Sequence, residues 1–452
     1  MMLLRISIFA LVALVASFAT ALSDPVVVAG GGPAGLFFAQ RYLELHPGHS
    51  VQIYEPKPDE REKSTRDHYD SAFGFGIGER ARCALKQTQQ GEKLVEAVGD
   101  IAAKTASGLW LVNRQDLCHV LKTHLFKTCG NQVDIIHGAR VCGIHEGSEK
   151  GKFAVDIKIK RLDEDGQELS ITKQVPYSLL VAADGTHSKI RQDLVQKRRK
   201  IRQQRFARPV QWKTLQLPTQ PNMEPGSFLP FPMTAPREEF GAVMPRYPNR
   251  FVALLFWKPT GSKRTWRNPF GCTTIKELKT AVQTTFPNVS HFPPDDELQT
   301  YLDMEPGTEY YMKLSRHAVE EMQVALIGDA ATGVYSRLAQ GCACALWGAN
   351  LLAEELAYSS AESTDGTSQL SRALQSFSDK SVREGHSLSD LNLLAHIEYT
   401  PWLHALNIFQ FPLIARIINN ADLSYSDIYW KFRWQIKLAK LHWFFSRQRV
   451  QE

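Results

Sequence analysis

Gly30-Gly31-Gly32-Pro33-Ala34-Gly35 is the segment whose residue types and spacing speak most directly to chemistry. Glycine at its first, third and sixth positions allows a tight turn, lets backbone approach a pyrophosphate, and permits close packing of the next helix. Pro33 and Ala34 open that helix, whose unpaired N–H groups and positive dipole end suit an anion. Glu55, 25 residues beyond Gly30, can accept both hydroxyls of an adenosine ribose. Two further acids stand just after apolar runs: Asp184-Gly185, followed by Ser188 and Arg191, and Gly328-Asp329-Ala330-Ala331.

These residues need elements to hold them. Val26-Val27-Val28-Ala29 predicts a buried strand leading into the glycine turn, and Leu36-Phe37-Phe38-Ala39 continues it as a helix. Ser50–Tyr54 predicts a second strand carrying Glu55, Ser178–Ala183 a third ending at Asp184, and Val324–Ile327 a fourth ending at Gly328-Asp329. Acids at the C-terminal ends of strands in an open α/β sheet lie where such sheets bind ligands. The two later motifs point to FAD rather than NAD as the dinucleotide.

The dinucleotide, Asp-Gly and Gly-Asp motifs, in this order and at these distances, resemble the single-component FAD-dependent monooxygenases of the aromatic hydroxylase type. Within that superfamily the sequence is most similar to the kynurenine 3-monooxygenase family. Three segments carry that likeness: Arg80–Lys86 against the family's Arg-Gly-Arg-x-Ala-Leu helix, Asn113–Leu117 against its Arg-Glu-x-Leu segment, and His396-Ile397-Glu398 against its Tyr-Ile-Glu. The resemblance implies a Rossmann-like FAD-binding α/β domain with an inserted antiparallel β-sheet substrate domain and a C-terminal helical region. It further implies that Gly30, Gly32, Pro33, Ala34, Gly35 and Glu55 hold the adenosine half of FAD, and that Arg114 contacts the FAD chain. Asp329, after Gly328, would take the ribityl hydroxyls, and Asp184 would orient a loop used with both FAD and NADPH. Gln340 and Gly341 would face the flavin ring, Arg337 would stabilise reduced flavin or stand in solvent, and Arg80 would pair with an acidic substrate group.

The chain departs from that family at the flavin loop. Thr332 stands for a His, Ser336 for a Pro, Ala339 for a Gly and Ala343 for an Asn; His396 and Gly108 fall where the family has tyrosines. Kynurenine is therefore not the expected substrate. The expected reaction is NADPH- or NADH-driven hydroxylation or epoxidation of an aromatic or unsaturated small molecule. A flavin-dependent redox or isomerase-like protein acting on an apolar, isoprenoid-type ligand, and a catalytically silent FAD-binding protein, stay as alternatives.

The domain expectation is residues 1–21 as a signal peptide, 24–205 with 310–358 for FAD, 206–309 as the substrate sheet and 372–452 as the helical region. Ile6–Phe18, followed by Ala19-Thr20-Ala21, reads as a secretory signal, leading to the endoplasmic reticulum or secretion. Ala16-Ser17-Phe18-Ala19 alternatively resembles the junction of a bipartite presequence for a secondary plastid. Ser227–Phe231, Glu239–Met244 and Arg250–Trp257 predict antiparallel strands, and Ser359–Ser371 a surface loop. Lys197–Lys200 with Arg202 and Arg205 reads as a solvated run or as an attractor of NADPH phosphate.

Among 452 residues, 43% are hydrophobic and 22% charged, which excludes a disordered or multi-span membrane chain. A net charge of +6 does not imply nucleic-acid binding. The seven cysteines form no CxxC pair and predict no zinc site; they read as mostly buried thiols, with one or two disulfides open if the compartment is oxidising. The C-terminal aromatic and basic residues read as a cap packed on the FAD domain or as a helix in peripheral contact with a membrane.

Overall fold

The computed structural model describes residues 24–59, 74–106, 108–146, 152–162, 168–221, 239–246, 250–257, 272–334, 338–361, 366–395, 414 and 417–448. The signal segment 1–21, the strand expected over Ser227–Phe231, Ser336, Arg337 and His396–Glu398 lie outside the described residues.

A six-stranded sheet organises the fold. Its order is Ala318–Val319, Val324–Leu326, Leu179–Ala182, Val26–Ala29, Val51–Glu55, Val133–His137. All neighbours are parallel except the short antiparallel edge pair of Ala318–Val319 with Val324–Leu326. Strands buried on both faces read as continuous apolar runs, and alternate residues divide between two cores. Val26, Val28, Leu179 and Val181 face a helical layer with Phe37, Phe38, Leu121 and Leu346. Val27, Ala29, Leu180 and Ala182 face the opposite core with Val155, Ile157 and Tyr177. That second layer is a three-stranded antiparallel sheet of Ala139–Glu146, Phe153–Leu162 and Glu168–Tyr177.

Gln203–Pro218, Glu239–Arg246, Arg250–Trp257 and Gly307–Leu314 form a separate four-stranded antiparallel sheet. The expected boundary at 205/206 thus falls inside one strand, which continues through it with a register shift between Ala207 and Gln211. The segment 206–309 is also not all β. Helices Ile275–Thr285 and Asp295–Asp303 lie within it. Thr274 and Glu277 form a reciprocal capping box at the first, satisfying donors that the helix leaves open. Leu278, Val282, Phe286, Leu298 and Tyr301 then pack on Leu215 and Leu217 of the sheet.

Long helices complete the molecule. Gly341–Ala361 and Gly366–Ala395 occupy most of the polar Ser359–Ser371 stretch expected to be a loop, leaving 362–365 between them. Serine and threonine are tolerated at helix ends, so composition alone placed the turn too broadly. The last helix, Tyr425–Gln448, buries Tyr425, Ile428, Phe432, Ile436 and Ala439 in one core with Leu388, Leu391 and Leu394. Buried Asp390 ties this layer to the antiparallel sheet by accepting from Lys313 Nζ at 2.5 Å and Lys440 Nζ at 2.7 Å.

Candidate cofactor site

The glycine turn sits at the C-terminal end of the first strand. Gly30 adopts φ +105°, and a Cβ there would lie 2.6 Å from the Ala183 carbonyl oxygen of the neighbouring strand end. A Cβ on Gly35 would lie 2.1 Å from the Gly30 carbonyl oxygen, so only glycine lets helix Pro33–Leu45 start this close. Pro33 is the first residue of that helix, where its missing N–H costs no intrahelical bond. Gly32 is different: among the described residues, the only neighbour within 4 Å of an added Cβ is Arg114 Nη2, at 3.0 Å. This cradle leaves room for a pyrophosphate beside the amides of the turn, with a guanidinium at hand. The residues present therefore fit the ADP half of FAD.

Glu55 ends its strand under the turn. Gly31 N donates to its Oε2 at 2.7 Å and Lys57 N to its Oε1 at 3.0 Å. Each carboxylate oxygen retains a lone pair with which to accept a ribose hydroxyl. Arg114 opens helix Arg114–Cys129, whose N-cap Asn113 accepts from Gln115 N at 2.8 Å.

The Asp-Gly and Gly-Asp loops meet beside this turn. Gly328 tucks between Ala34 and Ala345. Asp329 keeps a solvent-exposed side chain beside the turn. Burial pushes its carboxyl up, opposed by the Thr186 hydroxyl, which donates to Oδ2 at 3.3 Å, and by the Arg114 and Arg191 guanidiniums. Arg114 and Asp329, 215 positions apart in sequence, thus act on one another in one site. Asp184 accepts from Lys189 N at 2.7 Å; burial raises its carboxyl, and the Ser188 hydroxyl and Lys189 amide oppose the rise.

Arg191 joins the two loops. Its Nη1 donates to the Asp329 and Ala330 carbonyls at 3.2 and 3.0 Å, and its Nη2 to the Thr186 carbonyl at 2.5 Å. The residue was visible as part of the Asp-Gly motif, but its role as a clasp on the Asp329 loop follows only from the folded geometry.

Two expected site residues are turned elsewhere. Gln340 is buried, and its Nε2 donates to Leu338 O at 3.1 Å and Asn419 Oδ1 at 3.0 Å, while its Oε1 accepts from Tyr425 OH at 3.0 Å. Its amide is thus occupied by the C-terminal region instead of facing a ring. Arg80 Nε donates to Ile418 O at 2.5 Å, its Nη2 donates to Leu423 O, and its guanidinium lies 4.4 Å over the Tyr425 ring. The expected pairing with an acidic substrate group is replaced by a clamp on residues 418–425. Gly341 does open helix Gly341–Ala361 beside the Gly328–Ala330 turn, presenting a helix N-terminus there. Burial pushes the thiols of Cys342 and Cys344 up to about 12, so both stay neutral.

The substituted family positions are equally specific. Ala343 is buried in the helical core, and Thr332 is buried against Gly385, whose added Cβ would meet Thr332 Oγ1 at 2.7 Å. Ala339 holds φ +52°, a left-handed conformation at the position where the family's glycine falls. The basic run is largely paired: Arg198 with Asp193 at 3.0 Å, Lys197 with Asp193 at 3.4 Å and Lys200 with Glu321 at 3.1 Å. All seven cysteines are free, and no metal-binding cluster occurs among the described residues.

A Rossmann-like dinucleotide site is the class that this fold and these residues define. The chain is similar to single-component FAD-dependent aromatic hydroxylases. It is 24% identical over 410 residues to kynurenine 3-monooxygenase acdD of Aspergillus candidus, covering 82% of this chain and 77% of that one. It is 23% identical over 411 residues to kynurenine 3-monooxygenase of Aspergillus terreus, with the same coverages of 82% and 77%. No protein-family profile matches. Among solved structures, the OxyS anhydrotetracycline hydroxylase of Streptomyces rimosus aligns with TM-score 0.60 and 14% identity over 88% of this chain and 75% of that one. The Y270F mutant of 2-methyl-3-hydroxypyridine-5-carboxylic acid oxygenase aligns with TM-score 0.58 and 20% identity, over 82% and 90%. The Diels-Alderase PyrE3 of pyrroindomycin biosynthesis shares the fold at TM-score 0.58 and 17% identity, over 88% and 79%.

Proposed function

We propose that the protein is an FAD-dependent monooxygenase that takes electrons from NADPH or NADH and hydroxylates or epoxidises an aromatic or unsaturated small molecule. The observation that carries this reading is the convergence of the Gly30–Gly35 turn, Arg114 and Asp329 on one cleft. Bound FAD supplies the two-electron redox chemistry and the reaction with dioxygen. The protein binds and orients. Glu55 would accept the ribose hydroxyls, the turn amides and Arg114 would hold the pyrophosphate, and Asp329 would accept the ribityl hydroxyls. The N-terminus of helix Gly341–Ala361 would offer a positive dipole end to negative charge on a reduced ring. The antiparallel sheet of Gln203–Leu314 forms the wall of the substrate domain.

The substrate is not kynurenine. Arg80 is committed to backbone carbonyls, and Ala343 offers a methyl group where the family has an amide. A second reading, a flavin-dependent redox or isomerase-like protein acting on an apolar ligand, draws on the altered loop at Ala339 and on a neighbour of this fold named as a Diels-Alderase. The Ile6–Phe18 run supports entry into the secretory pathway.

Anaerobic addition of NADPH or NADH to the FAD-loaded protein, with candidate aromatic and isoprenoid ligands, followed by readmission of air, tests the proposal. Monooxygenation requires bleaching of the flavin band and incorporation of an oxygen atom from dioxygen into a ligand. Bound FAD that neither nicotinamide reduces favours the second reading.

A further inference from the structure

A cavity of about 310 Å³ lies between helix Gly366–Ala395 and the turn that leads from strand Gly307–Leu314 into edge strand Ala318–Val319. None of the residues placed at the cofactor site lines it. Ser378, Asp379, Val382 and Arg383 follow Gln375 at helical spacing, so a single face of the helix forms one wall. Ser315, Arg316 and Glu320 form the other. That second wall is pinned at Ser315, whose Oγ accepts from Arg202 N at 2.9 Å and whose N donates to the Arg202 carbonyl at 2.9 Å.

Each wall brings one cation and one carboxylate to the cavity. Arg316 Nη1 stands 3.5 Å from Glu320 Oε2 within the turn. On the helix, Asp379 Oδ1 accepts from Gln375 Nε2 at 2.8 Å, and Arg383 Nε stands 3.6 Å from Glu384 Oε1. Among the described residues no ion pair crosses from wall to wall. A guanidinium carries five N–H donors, so both arginines keep donors for a ligand. At the floor, Ser378 is 2% exposed; its Oγ accepts from His317 N at 2.9 Å, and its own proton has no acceptor among the described residues.

The charge pattern selects the ligand. Two carboxylates at the cavity repel a phosphate ester or other polyanion, and two guanidiniums repel a simple amine. A molecule carrying both signs meets neither penalty. We propose that this cavity binds a small zwitterion of the α-amino acid type. Its carboxylate accepts from the Ser378 hydroxyl and from the guanidiniums of Arg316 and Arg383, charge-assisted bonds of the stronger kind. Its ammonium donates to Asp379 and Glu320, and its side chain lies against Val382, the apolar member of the lining. This inference is independent of the flavin chemistry.

Calorimetric titration of the full chain, with FAD present, against each standard L-amino acid, against acetate and against ethylamine tests it. The expected result is that at least one amino acid saturates a single site per chain. Acetate and ethylamine, which offer one charge each, bind at least about tenfold more weakly. Arg316→Gln combined with Arg383→Gln weakens the amino acid at least about tenfold, and so, separately, does Asp379→Asn. Asp379 and Arg383 are exposed and Arg316 is partly so, and an unchanged thermal midpoint shows that each variant is folded. An amino acid held at the substrate site instead would keep its affinity in both variants, and that result overturns the proposal. Failure of every amino acid to bind overturns it as well. Acetate binding as tightly as the amino acid would mark a plain anion site and also overturn it.

Discussion

Replacing Arg191 by Lys asks whether one buried guanidinium holds the two halves of the cofactor cleft together. The wild-type side chain is 4% exposed and donates from two nitrogens to the carbonyls of Thr186, Asp329 and Ala330. Lysine keeps the charge but presents one nitrogen on a flexible stem, without the planar fork that spans both loops. Hydrogen bonds from a charged donor contribute about 1.5–3 kcal/mol each, and the substitution forfeits one or two of them. The expected loss is about 3 kcal/mol of stability. Part of that loss falls on the FAD complex, because the Asp329 loop is no longer fixed. Each 1.4 kcal/mol withdrawn from binding weakens FAD about tenfold. Urea unfolding of the apoprotein measures the first quantity and fluorescence titration with FAD the second. An Arg191→Lys protein whose urea midpoint and FAD affinity both match wild type would refute the clasp.

Gly35→Ala places a Cβ 2.1 Å from the Gly30 carbonyl oxygen, so the helix start must move and FAD retention should be lost on gel filtration. Tyr425→Phe removes the donor to buried Gln340 Oε1 and should cost about 1–3 kcal/mol in urea unfolding while FAD stays bound. Loss of FAD without loss of stability would instead return Gln340 to the ring. Burial against Ser378 and Ser381 lowers the His317 imidazole to about 3. The unfolded chain binds a proton near pH 6.5 that the folded chain refuses, so this stability is complete above pH 6.5 and fades as pH falls towards 3. The loss between pH 7 and pH 5 is about 2 kcal/mol, and His317→Gln should flatten that slope; parallel slopes for the two proteins would count against it.

The glycine turn and the strand ends beside it were legible because their requirements are local. A turn such as Gly30–Gly35 needs glycine at fixed offsets, and Glu55, Asp184 and Asp329 each follow an apolar strand that marks its own end. The errors lie where the deciding contact is remote. Arg80 meets its carbonyl acceptors 338 and 343 positions away, and Gln340 meets Tyr425 85 positions away. Nothing near Arg80 or Gln340 in the sequence signals those partners, so each was assigned through the family resemblance alone. The helices Ile275–Thr285 and Asp295–Asp303 were missed for another reason: aromatic and Pro-rich runs on either side dominated a segment whose Thr274–Glu277 capping box is a clear local start signal. Helix Tyr425–Gln448 was legible as a cap because Tyr425, Ile428, Phe432, Ile436 and Ala439 recur at helical spacing and are buried together.

The central claim is that one cleft, built by the Gly30–Gly35 turn, Glu55, Arg114 and Asp329, holds FAD through both its adenosine and its ribityl portions. Calorimetric titration of the apoprotein with FAD and, separately, with FMN tests it most directly. The account predicts one FAD per chain, an affinity for FMN at least about a hundredfold weaker because Glu55 and the glycine turn then have no ADP to hold, and weakened FAD binding in Asp329→Ala. FMN binding as tight as FAD, or no binding of either, would contradict it.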